Sequence, residues 1–381
     1  MVYCGALKIP REEVERRKRF LEDTWRFKAS DAPPIYMSVD ASLASTLSTD
    51  SSVGNHCATW SSLGYTKREL MLDDEKMLRQ QIYDLNESLK VSSEVVPGVQ
   101  PYVGMGVYAS AFGCKVVFSE DSDPWTVPVV KHPEQVYELQ PDLNGGLLPM
   151  VLRRIRYFQK ETSGDVPIMF TDTQGPLDTS LLIWGYEGFV KAMHTSKKEA
   201  HVLLGKVTET IIEFSKIQRS EIKNFFSPGH LGIWAPMDSG ISVGDDLAAV
   251  LSPRLYAEFA VPYLTRISEA FKGLYIHSCG EYNHNLENML KIPMLRCVDL
   301  HSLPEMDLAK ARRRCRGKAV MTINPGLNWE KRFPTWKELW DHIVSATWDG
   351  GYGVIYSDVA NNVGEGLEKV TYIRSACKYT G

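Results

Sequence analysis

The stretch SPRLYAEFAVPYLTRISEAFKGLYIHSCG, residues 252–280, contains one complete unit of the fold that this chain predicts. Its first part reads as a helix, with Ser252 as the N-cap and Pro253 at the first helical position. Its second part is a short apolar run that ends in polar residues and a glycine. The stretch therefore predicts a helix followed by a buried strand, which reaches the surface at His277 and Cys279.

The same kind of apolar run recurs along the chain, bounded by turn residues and separated from the next run by helix-like segments. The runs are 34–40, 99–110, 166–172, 231–238, 273–280, 294–302, 318–326 and 352–359. They are apolar without strict alternation, as strands buried on both faces are. Eight alternating strand and helix units predict an α/β fold, a (β/α)8 TIM barrel. A doubly wound open sheet is the alternative, but no GxGxxG follows the first run.

The residues before the first run predict a separate element. EVERRKRFLEDTWRF is amphipathic, so residues 1–32 are expected to form an N-terminal helical extension that caps one end of the barrel. Residues 33–381 are expected to form the barrel itself, since no Pro/Gly/Ser linker divides them.

Composition and charge argue against several classes of function. The chain has 381 residues, is 44% hydrophobic and carries a net charge of −4, which favours neither nucleic acid nor anionic membrane as a partner. No apolar stretch approaches the roughly 20 residues that span a bilayer, and the start lacks the apolar core of a secretory signal. The protein is therefore expected to be cytoplasmic. Its seven cysteines are expected to be free thiols or metal ligands rather than disulfides.

Polar side chains follow almost every predicted strand, at the end where such barrels place their active sites. The set is Asp40, Tyr108, Ser110, Asp172, Gln174, Asp238, His277, Cys279, Asp299, His301, Asn324, Ser357, Asp358, Asn361 and Asn362. For any one aspartate, a role as helix N-cap is as good an interpretation as a functional role.

His277 and Cys279 are two residues apart on one predicted strand, so their side chains point to the same side. An imidazole nitrogen and a thiolate sulfur at this spacing can share one zinc ion, and a catalytic zinc site has three protein ligands and one open position. A buried cysteine beside a hydrogen-bonded histidine is the alternative interpretation. His301 follows Asp299 by two residues in the next strand, so it is a candidate third ligand, acid–base group or substrate contact.

Several stretches resemble, in order, segments of the uroporphyrinogen decarboxylase superfamily, which includes the cobalamin-dependent methyltransferases. They are YASAFGCKVVF (108–118), VPIMFTDTQGPLDTSLLIWG (166–185), VLSPRLYAEFAVPYLTRI (250–267), IHSCG (276–280), VMTINPG (320–326) and SDVANNVGEGLEKV (357–370). The resemblance implies a TIM barrel over nearly the whole chain.

The decarboxylase branch differs from this chain after the first strand. Those enzymes carry an arginine-rich RQAGR stretch there, which holds the carboxylates of a tetrapyrrole, whereas residues 38–50 contain neither arginine nor lysine. The tyrosine of the family's "gPft" segment is also missing, the nearest position being Leu182.

The methyltransferase branch is closer, because His277 and Cys279 match two of its three zinc ligands. The third is a cysteine at the end of the last strand, where this chain has Ser357 and Asp358. Aspartate is the better zinc ligand of these two, so the expected metal ligands are His277, Cys279 and Asp358, with His301 as the substitute for the third.

The resemblance thus implies a zinc-dependent methyltransferase that moves a methyl group from a methyl ether or methylated amine to a corrinoid. The corrinoid (cobalamin) is carried by a partner protein. The expected catalytic residues are Asp299, His301 and Asp238, and the expected substrate-binding residues are Tyr36, Tyr108, Asp172, Gln174, Trp234 and Asn324.

Two other functions stay open. A decarboxylase or lyase of the same superfamily could act on a small carboxylated substrate. A non-catalytic small-molecule-binding homologue would explain the missing third cysteine. Family members are often dimers, so a homodimer is a further open alternative.

Overall fold

The computed structural model describes residues 7–40, 61–226, 232–236, 240–301, 306–326 and 329–379. Within these ranges the helices are α1 (Arg11–Trp25), α2 (Lys67–Leu72), α3 (Asp74–Leu89), α4 (Val107–Ala111), α5 (Leu148–Glu161), α6 (Pro176–Trp184), α7 (Tyr186–Thr195), α8 (Lys197–Glu221), α9 (Pro253–Phe259), α10 (Val261–Phe271), α11 (Leu286–Met289), α12 (Leu308–Cys315), α13 (Trp336–Thr347) and α14 (Val363–Tyr379). The strands are β1 (Ile35–Val39), β2 (Lys115–Val117), β3 (Trp125–Val127), β4 (Ile241–Gly244), β5 (Leu274–Cys279), β6 (Leu295–His301), β7 (Val320–Asn324) and β8 (Val354–Ala360).

One parallel sheet organises the described part of the chain. Six strands form it in the order β1-β8-β7-β6-β5-β4, and helices lie between successive strands, so the predicted α/β class is confirmed. Strand β7 is buried at every position, which is why its sequence lacks alternation. Strands β2 and β3 form a separate antiparallel hairpin.

Isolated contacts, rather than regular strands, occupy the interval between β4 and β1. Val99 forms a parallel bridge with Ile168, and Gln174 forms one with the last residue of β4. The amide of Glu94 donates to the carbonyl oxygen of Ile35 in β1 at 2.8 Å. These contacts follow the course that the predicted barrel requires. The regular ladder of the described residues has six strands, and full closure stays a prediction.

Two predicted strands are wrong in position. The expected fourth strand, 231–238, has no strand among its described residues, and the strand lies at Ile241–Gly244 instead. The expected second strand, 99–110, runs into helix α4. An apolar run marks burial, and burial alone does not distinguish a strand from a buried loop or helix.

Helix α1 covers the end of the sheet at which the strands begin. The indole ring of Trp25 packs edge-on against Tyr275, the second residue of β5, with ring centroids 5.1 Å apart. The Nε1 of Trp25 donates to the backbone oxygen of Trp234 at 2.9 Å. The helix thus caps the amino ends of the strands and leaves their carboxyl ends to the polar residues. The domain limits 1–32 and 33–381 stay a prediction.

The apolar core has two layers, because successive side chains of a strand face opposite sides. One layer lies between the sheet and the helices and includes Trp340 and Ile343. The other lies on the opposite face of the strands and includes Tyr36, Val320 and Ile355. Among the helices described, none is both long and apolar enough to cross a bilayer.

Candidate metal centre

The carboxyl end of β5 carries two candidate ligands side by side. The Nε2 of His277 lies 3.2 Å from the Sγ of Cys279, as the two-residue spacing predicts. His277 is buried, whereas Cys279 is exposed. Gly280 follows with a φ of 122°, which other residues rarely adopt, so the chain turns away directly after the pair. The pair therefore opens towards solvent through Cys279.

Asp246 supplies a third ligand atom from the turn that follows β4. Its Oδ1 accepts a hydrogen bond from the amide of Cys279 at 2.6 Å. One ligand atom from each of Asp246, His277 and Cys279 lies within 4.8 Å of the others. Because the sequence predicts the fourth strand at 231–238, Asp246 is not among the residues expected at a strand end. A strand ending at Gly244 would have pointed to the aspartates that follow it.

A second set of ligand atoms shares His277. The Oδ2 of Asp299 lies 2.6 Å from the Nδ1 of His277, and the rings of His277 and His301 are 5.4 Å apart between centroids. One atom from each of these three residues lies within 4.8 Å of the others. The β5–β6 ladder pairs Asp299 with His277 and His301 with Cys279. Four of the residues singled out from the sequence are thereby brought together.

Charge and hydrogen bonding stabilise the contact between His277 and Asp299. Burial would lower the pKa of His277, but its hydrogen bonds to Asp299 and Cys279 raise this pKa well above its ordinary value. Burial would raise the pKa of Asp299, but the hydrogen bond from His277 holds it below its usual value. The hydrogen bond between the two residues is therefore assisted by charge.

Two further carboxyl groups hold the turn that carries Asp246. Asp178 accepts hydrogen bonds from the amides of Asp246 at 2.6 Å and Leu247 at 3.2 Å. The hydroxyl of Tyr256 donates to Asp245 at 2.5 Å. Burial and the neighbouring carboxylates raise the pKa of Asp178 well above its ordinary value and that of Asp245 to about 7. This turn is thus fixed by buried hydrogen bonds.

Asp358, the third ligand expected from the sequence, faces the helices outside the sheet. Its Oδ2 accepts a hydrogen bond from the indole Nε1 of Trp340 at 3.1 Å and lies 3.2 Å from the Nζ of Lys369. Ser357 lies on the other face, where its Oγ accepts from the Nδ2 of Asn324 at 3.4 Å. The choice of Asp358 by ligand chemistry overlooks this alternation of side chains along β8.

Three of the expected substrate-binding residues lie on segments next to the ligand cluster. The Nε2 of Gln174 donates to the Oδ2 of Asp172 at 3.1 Å. A Cβ at Gly244 would come within 2.9 Å of the Gln174 side chain, so the glycine makes room for that side chain beside β4. Asn324 pairs with His301 in the β6–β7 ladder. Their role in substrate binding stays a prediction.

The expected aromatic residues are spread through the fold. Tyr108 lies in α4, and its hydroxyl contacts the Oγ of Ser215 in α8 at 3.0 Å. Trp234 faces a lysine of α1, whose ammonium nitrogen lies 5.9 Å from the ring centroid. Tyr36 belongs to the apolar cluster on the face of the sheet opposite the helices, and burial raises its pKa to about 12. Asp238, the remaining catalytic candidate, lies outside the described residues.

The donor set of Asp246, His277 and Cys279 suits a zinc ion. Carboxylate oxygen, imidazole nitrogen and thiolate sulfur are the ligand types that Zn²⁺ takes in proteins, and three of them leave a fourth position open. Asp246 and Cys279 are exposed, so the open position faces solvent. The set of His277, Asp299 and His301 has no thiolate, and its aspartate is already hydrogen-bonded to a ring nitrogen of His277.

Comparison with known proteins points to one enzyme family. The family model described as "Uroporphyrinogen decarboxylase (URO-D)" matches residues 98–221 and 239–323. The uroporphyrinogen decarboxylase of Xanthomonas oryzae pv. oryzae is 29% identical over 164 residues, which cover 42% of this chain and 42% of that relative. The one from Aliivibrio salmonicida is 28% identical over 130 residues, 33% of this chain and 32% of that relative. The chain thus spans about two fifths of the length of the first of these curated relatives.

A solved structure has the same fold over almost the whole chain. It is a methyltransferase from Methanosarcina mazei, which superposes with a TM-score of 0.64 at 16% sequence identity. The superposition covers 95% of this chain and 98% of that one. At this identity the likeness shows the fold.

Proposed function

The chain belongs to the uroporphyrinogen decarboxylase family, and within this family we propose that it is a zinc-dependent methyltransferase for a small methylated substrate. The methyl group of a methyl ether or a methylated amine would pass to the Co(I) of a corrinoid on a partner protein. The observation that carries the proposal is the ligand set of Asp246, His277 and Cys279. The fold shared with a methyltransferase supports the same branch.

Asp246 would set the chemical preference of the site. When bound, zinc supplies a Lewis acid that polarises the leaving oxygen or nitrogen of the substrate. A site with two thiolates suits sulfur chemistry, whereas Asp246 replaces one thiolate with a harder oxygen ligand. We therefore expect ethers or amines rather than thioethers as methyl donors. Asp246 takes the place of Asp358 in this proposal.

The polar row beside the ligands would bind and orient the substrate. Cys279 in β5 pairs with His301 in β6, and His301 pairs with Asn324 in β7. Hydrogen bonds from His301 and Asn324 would hold the leaving atom, and His301 would protonate an alkoxide as the methyl group departs. A quaternary amine has no lone pair for zinc or for these hydrogen bonds and leaves as a neutral tertiary amine, so this route applies to ethers and to amines that keep a lone pair.

A decarboxylase acting on a small carboxylated substrate is the second candidate, because the curated relatives carry that name. A tetrapyrrole with many carboxylates is disfavoured, since residues 38–50 contain no arginine or lysine to pair with them. This candidate predicts release of CO₂ without any corrinoid.

Metal analysis and a methyl-transfer assay test the first proposal together. Zinc-reconstituted protein is expected to hold about one zinc ion per chain and to methylate cob(I)alamin from at least one member of a panel of methylated amines and ethers. Cys279→Ala and Asp246→Asn should lose most of the zinc and the activity, because each removes one of three ligands. Asp358→Asn is the matched control and should keep the metal.

The outcomes separate the alternatives. If zinc-loaded protein transfers no methyl group across the panel, the methyltransferase assignment is rejected. If Asp358→Asn loses zinc while Asp246→Asn keeps it, the third ligand is Asp358 after all. CO₂ release from a small carboxylic acid without cobalamin would favour the decarboxylase. Ligand binding with neither reaction would favour a non-catalytic homologue.

A further inference from the structure

Asp299 lies in the middle of the sheet, and both of its carboxylate oxygens are engaged. Its Oδ2 accepts a hydrogen bond from the Nδ1 of His277 at 2.6 Å, and its Oδ1 accepts one from the hydroxyl of Thr322. The hydroxyl of Tyr282 donates to the backbone oxygen of Asp299 at 2.8 Å. The residue is only 5% exposed. A carboxylate held in this way is poorly placed to act on a substrate directly.

Strand register produces these contacts. His277, Asp299 and Thr322 are paired across β5, β6 and β7, so they form one row across the sheet. Paired residues of neighbouring parallel strands face the same side, so the three side chains meet. The row is therefore set by the register of the folded sheet.

We infer that Asp299 is a positioning residue, which holds the imidazole of His277 so that Nε2 faces the metal ligands. The inference rests on the proposed metal-dependent function. A carboxylate bonded to one ring nitrogen fixes the proton there and leaves the other nitrogen for the metal. Nε2 is the nitrogen that lies 3.2 Å from the Sγ of Cys279. Asp299 thus acts through His277, which differs from the catalytic role expected from the sequence.

The second ligand set makes an incompatible demand on the same histidine. In that set, His277, Asp299 and His301 would bind the ion, and if Nδ1 were the ligand atom of His277 it would have to give up its hydrogen bond to Asp299. Nδ1 cannot donate a proton to Asp299 and bind a metal at the same time. Zinc bonds of roughly 2.0–2.2 Å at a tetrahedral angle separate two ligand atoms by more than about 3 Å. The observed 2.6 Å between Nδ1 and Oδ2 is shorter, which favours the hydrogen bond.

The variant Asp299→Asn tests this role, because asparagine has nearly the same shape but no charge. We expect the zinc affinity of the purified protein, measured by competition with a chelator, to fall about 10–100-fold. Thr322→Val should reduce the affinity by a smaller factor, because Asp299 keeps its bond to His277. Thr322→Ser retains the hydroxyl and is the matched control, expected close to wild type.

Two spectroscopic readouts separate positioning from direct ligation. With cobalt(II) in place of zinc, the thiolate-to-cobalt charge-transfer band of Cys279 should persist in Asp299→Asn. In the metal-free protein, the Nδ1 proton of His277 should be protected from exchange in wild type and should exchange faster in Asp299→Asn, because the uncharged amide oxygen is a weaker acceptor. The second readout needs neither metal nor methyl transfer, so it tests the inference even where the proposed function fails.

Two results would overturn the inference. One is an Asp299→Asn protein whose zinc affinity and Nδ1 proton signal both match those of wild type. The other is complete loss of metal in Asp299→Asn and His301→Ala, with full retention in Cys279→Ala. That pattern would mean that the ion sits in the second ligand set and that Asp299 binds it directly.

Discussion

Asp84 in α3 is a carboxyl group whose charged form is disfavoured by the fold. Burial, together with the negative charge of Asp40, raises its pKa to about 7, although the Nε2 of Gln80 donates to its Oδ2 at 2.8 Å. In the unfolded chain the pKa returns to near 3.8. The folded state therefore binds more protons between these pH values. The stability from protonated Asp84 is present below about pH 4 and is lost as the pH rises through about 7.

The variant Asp84→Asn should escape this loss, because its amide does not titrate. At pH 8 its free energy of unfolding is expected to exceed that of wild type by roughly 1–3 kcal/mol, and the difference should shrink towards zero at pH 4. Urea unfolding at pH 4, 6 and 8 measures it. Asp31→Asn, at an exposed position, is the control and should stay within about 0.5 kcal/mol of wild type. Equal stability of Asp84→Asn and wild type at pH 8 would contradict the argument.

Single residues also show what the sequence can and cannot predict about the site. His277 and Cys279 could be recognised because their two-residue spacing on a strand determines that they share a side. Ser357 and Asp358 obey the same rule, and applying it would have placed these two neighbours on opposite faces of β8. Asp246 could not be found without knowing where β4 ends, since its approach to Cys279 depends on the pairing of two strands.

Helices α2 and α3 show how one side chain ends a helix and begins the next. Residues 67–89 carry apolar residues at helical spacing with charged residues on the other face, which predicts one helix. The structure divides it at Asp73, whose φ and ψ are −113° and 111°. The Oδ1 of Asp73 accepts hydrogen bonds from the amides of Glu75 at 2.9 Å and Lys76 at 3.1 Å. Asp73 is therefore the N-cap of α3. The helical spacing of apolar residues continues through Asp73, so this spacing does not predict the break.

Replacing Asp73 with alanine should destabilise the protein, because two amides in the first turn of α3 lose their side-chain acceptor. We expect the free energy of unfolding to fall by about 1 kcal/mol, as measured by urea denaturation. Asp73→Asn keeps an acceptor oxygen and should retain most of that stability. If the alanine and asparagine variants were equally stable, the cap would contribute nothing measurable.

The helix predicted for the first part of the stretch 252–280 divides for a different reason. Helices α9 and α10 meet at Ala260, and Pro262 in the first turn of α10 has no N–H to continue the hydrogen-bond pattern of α9. The predicted N-cap is confirmed, since the Oγ of Ser252 accepts from the amide of Leu255 at 3.4 Å. The N-cap of a helix can thus be predicted from the local sequence. A break inside an amphipathic stretch cannot, because it depends on how each half of the helix packs.

For the whole molecule, the alternation of apolar runs and helices was enough to predict the class of fold. It did not predict that residues near Val99 and Ile168 form isolated bridges instead of full strands, nor the hairpin of β2 and β3. Those features depend on contacts between segments far apart in the chain. The spacing of residues within one segment carries no information about them.

Glu94 links three distant parts of the described chain. Its Oε2 accepts a hydrogen bond from the amide of Ile35 at the start of β1 at 2.8 Å. Its Oε1 accepts one from the Nη2 of Arg374 in α14 at 2.9 Å. The residue is only 2% exposed, and burial raises the pKa of its carboxyl despite these partners. It therefore connects β1 and α14 to the segment between β1 and Val99.

Removing this side chain should weaken the whole fold rather than one element. Glu94→Ala leaves the buried amide of Ile35 and the guanidinium of Arg374 without this acceptor, so we expect the free energy of unfolding to fall by about 2–4 kcal/mol. Amide hydrogen exchange should speed up in both β1 and α14, because each of them loses its hydrogen bond to Glu94. Glu87→Ala, which removes an ion pair with Lys90, should cost less than about 0.5 kcal/mol. A Glu94→Ala protein as stable as Glu87→Ala would show that Glu94 does not hold β1 and α14 together.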